Sequence, residues 1–147
     1  MDAQERKRKR ALIVFQVFIY GYLLLALRRF LGLAAGVAVA IVVAYAVGAQ
    51  ALSWLAPPRA LNGSVGYLPA LVALIVVARA AHGPARRGLE LAAMIFTVSL
   101  ALRTIDLAAC DTFPFGTHFS WHLLNAVVLY ILLRTAIKEA DPGNPKS

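Results

Sequence analysis

The chain has a single cysteine, Cys110, so no disulfide can form within it. Acidic residues are scarce: seven Asp and Glu stand against fifteen Lys and Arg, and there are only three histidines. No segment near the start joins an apolar core to a small-residue cleavage site, so no secretory signal peptide is expected. Also missing is any polar face on which basic and aromatic residues alternate. The net charge of +8 therefore does not point to nucleic acid. The Lys and Arg residues flank apolar runs, which is the placement that membrane topology produces.

What the chain has in excess is apolar side chains. Hydrophobic residues make up 61% of it, against ~45–50% in an ordinary soluble domain, and the mean hydropathy is +0.72. The excess falls into runs separated by short polar punctuation. That pattern predicts an all-α integral membrane protein, a bundle of about five transmembrane helices. A basic tail over 1–10, MDAQERKRKR, precedes a transmembrane domain over 11–137, and a polar tail rich in Pro and Gly occupies 138–147. The basic tail suits anionic lipid.

Helices are expected over 11–27, 31–55, 67–81, 89–109 and 117–137. In the first, Gln16 is the only strongly polar side chain. In the second, Gly32 and Gly36 form a GxxxG pair of the kind that lets another helix approach. Trp54 fits an interfacial anchor, and Pro57-Pro58 stops the helix. Asn62-Gly63 marks a turn, and Pro69 suits the first turn of the third helix. Glu90 falls in the first turn of the fourth, where a negative charge favours the helix dipole. Thr117 is a candidate N-cap for the fifth.

Five spans put the termini on opposite sides. Counting Lys and Arg gives seven on the N-terminal side, five of them in the first ten residues, and eight on the other. The two sides disagree until the basic tail is set aside. The remaining loops then vote for a cytoplasmic C-terminus. The richness in Ala, Gly and Arg points to a GC-rich bacterium, hence to a bacterial cell membrane.

One stretch differs from the rest: residues 103–125, RTIDLAACDTFPFGTHFSWHLLN. His118 and His122 are four apart, so they share one face of a helix, and two imidazoles at that spacing can hold one metal ion, usually zinc. The alternative is a pair of helix-start histidines bonded to carbonyls or water. The spacing is not the H-E-x-x-H of soluble metalloproteases, because Phe119 follows the first histidine. A catalytic zinc wants three protein ligands and a water. His82 lies in a loop on the opposite membrane face and is excluded. Cys110 is either a thiolate ligand or a small buried hydrophobe. Asp111 is either a ligand or a loop cap. Arg103 and Asp106, at i and i+3, suit a structural ion pair. Asn125 continues the face of His122 and either supports a ligand or bonds across helices.

GTHFSWHLLNAVVLY resembles the last transmembrane segment of the alkaline ceramidases, and of the wider superfamily of membrane hydrolases that includes the adiponectin receptors. That family pairs His-x-x-x-His with a Trp beside the second His, as Trp121 stands here. Asp106-x-x-x-Cys110 is similar to its penultimate span, and NGSVGYLPAL and LIVFQVFIYGYL are similar to its middle segments. The resemblance covers nearly all of 11–137 and is strongest over 103–133. It implies a seven-span fold of which this chain carries the last five. It also implies a zinc-dependent hydrolase of the amide bond in ceramide or a related N-acyl lipid, with His118 and His122 as two of three metal ligands. The family's third histidine, a Ser one turn before it and an Asp of its third span have no counterpart, since the Asp falls near Arg8. The zinc site is therefore expected to be weak or incomplete. The chain is either the later part of a longer protein or a relative that keeps the fold without activity.

Overall fold

The computed structural model describes the backbone of residues 3–57, 60–109 and 118–140, with side chains at 14, 16–57, 60–61, 64–106 and 119–139. Among these residues every regular element is helical: α1 (Ala3–Arg29), α2 (Ala35–Leu55), a 3₁₀ segment (Ala60–Tyr67), α3 (Leu68–Ala80), α4 (Gly83–Ala109) and α5 (His118–Ala140). Three stretches are long and apolar enough to cross a membrane: Ala35–Leu55, Gly83–Asp106 and Phe119–Glu139. A shorter apolar stretch, Ser64–Ala80, lies between the first two of them.

The helix boundaries differ from expectation in instructive ways. Helix α1 begins at Ala3 and takes in the basic stretch, because Glu, Lys and Arg are good helix formers and no breaker separates them from the apolar run. Helix α2 begins at Ala35 rather than 31. Gly32 adopts φ +66° in the turn before it, where the Leu33 amide donates to Leu27 O (3.1 Å). Gly32 and Gly36 thus do not share a helix face. A Cβ on either would meet no atom within 4 Å, so the GxxxG pair seats no helix here. Helix α4 begins at Gly83, six residues before the expected start. Gly83 takes φ +64°, and Pro84 fits the first turn, where no N–H is needed. Glu90 is consequently beyond the first turn, and its Oε1 accepts from Arg86 Nε at 2.8 Å instead of facing the helix dipole. The expected loop before α3 contains the 3₁₀ segment, and Pro69 does stand in the first turn of α3.

The densest packing joins α4 to α5. Helix α4 buries Ala85, Leu89, Ala92, Phe96, Ser99 and Leu100, and α5 buries Trp121, Val128, Leu132 and Thr135. Both sets follow helical spacing along one stripe. Residues 88 and 99 of α4 meet 135 and 125 of α5, so the pair is antiparallel. Helix α3 packs on α4, the 3₁₀ segment on the later part of α4, and α1 on α2. Helix α2 buries only Ala38, and its Trp54 is 81% exposed.

At Gly88 the Thr135 side chain of α5 fills the place that a side chain would take. A Cβ there would overlap Thr135 Oγ1 and sit 3.2 Å from Thr135 Cγ2. Gly88→Ala is expected to destabilise the detergent-solubilised protein by ~1–3 kcal/mol. Gly88→Ala with Thr135→Ala should recover most of that loss. Thermal unfolding of the two variants measures both effects; equal losses would remove Thr135 as the obstacle.

Candidate functional site

The antiparallel register brings the start of α5 beside the end of α4. Ser99, fully buried, donates its hydroxyl to Asn125 Oδ1 at 2.9 Å, with Trp121 O as a longer acceptor at 3.3 Å. Asn125 therefore bonds across helices. One turn back, Trp121 is 8% exposed and faces the 3₁₀ segment. The Arg103 guanidinium carbon lies 4.4 Å from the Trp121 ring centroid and 5.2 Å from that of Tyr67. The Tyr67 and Trp121 rings meet edge to face at 5.9 Å. One cation thus joins three segments. Nearby, Thr104 Oγ1 meets the buried Ser64 Oγ at 3.0 Å, a second polar link between α4 and the 3₁₀ segment.

His122 follows Trp121 and is exposed, its ring 4.3 Å from the indole centroid. It lies one position off the stripe that packs on α4. His118 opens α5, with its side chain outside the described residues; Cys110 and Asp111 lie outside them altogether. Asp106 is half-buried on α4, three residues past Arg103. His82 precedes the start of α4. Residue 122 lies beside residue 102 or so, ~30 Å of helical rise away from position 82, which agrees with excluding His82 as a partner of His122. Among the described residues no group of three or more His, Cys, Asp or Glu is placed to hold a metal ion. These residues alone therefore do not fit a three-ligand zinc site.

The other feature of this region is a cavity of about 130 Å³ between α1, α3, α4 and α5. Phe18 and Leu23 of α1, Leu74 and Val77 of α3, Leu89 of α4 and Leu132 of α5 are among its walls. Its polar lining groups are Tyr22, Tyr67 and Asn125. The Tyr22 hydroxyl donates to Leu132 O at 2.9 Å, tying α1 to α5 across it. Tyr67 and Asn125 stand toward the end near Trp121 and His122, whereas Leu89 and Leu132 stand toward the other. Asn125 and Trp121 stand out in the sequence; Tyr22, Tyr67 and Ser99 do not. Tyrosines beside small residues, in GYL and IYGY, were the available signal, since a buried hydroxyl needs a partner.

No protein-family model, curated protein or solved structure matches this chain.

The Arg103 stack carries a direct expectation. Arg103→Gln should lower stability by ~0.5–2 kcal/mol, the range of a cation over aromatic faces. The loss should shrink when Trp121 is already Leu, because the partner ring is gone. Unfolding curves of the single and double variants test this, and additive losses would contradict it.

Proposed function

We propose that this chain is a multi-pass membrane protein of the ceramidase-like type that binds an N-acyl lipid such as ceramide. In this reading all five helices cross the bilayer, with the C-terminus on the cytoplasmic side. The observation that carries it is the cavity. Its walls are almost wholly apolar, which suits hydrocarbon rather than water; of its three polar groups the Tyr22 hydroxyl is taken up by Leu132 O, and Tyr67 and Asn125 stand at the end near Trp121. An amphiphile lying there would set its acyl chain among Leu74, Leu89 and Leu132. Its amide would point toward Tyr67, Asn125 and the His122 end of α5. The volume takes a short length of chain, so the remainder of the tail would stay in the bilayer.

Amide hydrolysis is the activity the family resemblance implies. It needs a metal site beyond what His118 and His122 supply, and two ligands without a third support no catalytic step. A role for the chain as a lipid-binding protein without turnover is the second form of the proposal; Cys110, Asp111 and the side chain of His118 lie outside the described residues.

A photoactivatable N-acyl sphingosine should label the protein on α1 and α5. Ala73→Phe, which fills the cavity from α3, should cut labelling at least ~tenfold if it removes the acyl seat. Equal labelling of both forms would place the lipid elsewhere. Purified protein is expected to hold well under one zinc per chain and to release no fatty acid. One zinc per chain, lost together with amidase activity in His122→Ala, would instead make it a hydrolase with a third ligand outside the described residues.

A further inference from the structure

The end of the molecule opposite His122 is strongly basic. Arg28 and Arg29 close α1, Arg79 lies in the last turn of α3, Arg86 and Arg87 stand early in α4, and Arg134 and Lys138 stand late in α5. All seven are exposed. The antiparallel α4–α5 register and the bond from Arg29 Nη1 to Glu139 O (3.0 Å) hold these ends together. The acids among the described residues of this end are Glu90, which is engaged by Arg86, and Glu139.

Within this field lies a crevice of about 300 Å³ between α4 and α5. Its floor is Ala85, Gly88 and Thr135; its rim carries Arg134, Lys138 and Glu139; and Leu91 and Ile131 continue it down the apolar part of the helices. On this floor Gly88 meets the Thr135 side chain, which a Cβ at position 88 would overlap. Arg87 is next to Gly88 in sequence.

We propose that this crevice seats the headgroup of an anionic phospholipid. The phosphate meets Arg134 and Lys138, and an acyl chain follows Leu91 and Ile131 toward the bilayer centre. Charge placement chooses this occupant: two cations against one carboxylate on the rim, within a wider ring of basic residues, with an apolar path leading from the polar rim. A neutral lipid leaves the cations unused, and a free phosphate leaves the apolar path unused. Basic pockets between helices at the cytoplasmic face are suited to such headgroups. The inference rests on the membrane-spanning reading above but not on the N-acyl lipid or the cavity near Tyr67.

The test uses the full chain in nanodiscs of phosphatidylcholine with a small fraction of phosphatidylglycerol, followed by native mass spectrometry of retained lipid. Phosphatidylglycerol is expected to be retained in preference to phosphatidylcholine. Arg134→Gln with Lys138→Gln should lower that preference about tenfold or more, from ~1 kcal/mol per basic residue at a membrane surface. Glu139→Gln should raise it. Arg28→Gln with Arg79→Gln, at the same end but off the crevice, should change it little. An equal loss in both double variants would show a diffuse surface charge and overturn the site, as would no preference at all. Displacement of the lipid by millimolar glycerol phosphate would show a phosphate site without a lipid seat, and would also overturn it. Labelling by the N-acyl probe is independent of these changes, so failure here and failure of the proposed function are distinguishable.

Discussion

In a bilayer, apolar side chains gain little by leaving lipid for protein, so helices hold together by close approach and by polar contacts between them. The seam between α4 and α5 has both. Gly88 admits the Thr135 side chain at one end, and Ser99 bonds Asn125 further along. The other elements are arranged around this pair. Helix α3 lies on α4, and the 3₁₀ segment is tied to α4 by Ser64 and Thr104. Helix α1 reaches α5 through the Tyr22 hydroxyl and the Arg29 guanidinium, both bonded to backbone carbonyls. Leu23, Ala26 and Leu27 of α1 are buried in the same core, and the cavity is the space left between these elements.

The two ends of the seam differ in chemistry. At one, the Arg103 guanidinium lies over the rings of Trp121 and Tyr67. Such a cation tolerates an apolar setting better than an ammonium would, because guanidinium is weakly hydrated and stacks on aromatic planes. At the other end the cations are exposed and numerous. A molecule built in this way has an aromatic end beside His122 and an exposed, charged end away from it.

Much of the helical content was legible because long apolar runs leave few alternatives. The helix C-terminal ends all lie close to the places that Arg28-Arg29, Pro57 and the polar connections implied. The starts were less legible. Gly32 read as a helix residue where the chain makes a left-handed turn, and the loop through Gly83-Pro84 read as running on to residue 88, where α4 is already under way. The basic stretch before residue 11 read as a tail because its charge suggests solvent, yet charge does not oppose helix formation in Lys, Arg and Glu. At the site, the residue types were visible and their partners were not. Asn125 allowed a supporting or a bridging role until Ser99, 26 positions earlier, proved to be opposite it. Arg103 suggested Asp106 by spacing; the two rings over which it also lies come from segments 36 residues before and 18 after it, which no local pattern reports.

The 3₁₀ segment has a consequence for thickness. Helix α3 has 13 residues, so it rises only ~20 Å, well short of the ~30 Å of hydrocarbon in a bilayer. The eight residues of Ala60–Tyr67 run directly into it. At the longer rise of a 3₁₀ helix they add ~16 Å. Wound as α-helix, the same eight residues would add only ~12 Å. If α3 crosses the bilayer as proposed, the tighter winding narrows the mismatch between a short apolar stretch and the membrane without a longer sequence. Its poorer internal hydrogen bonding is offset where Ser64 finds Thr104.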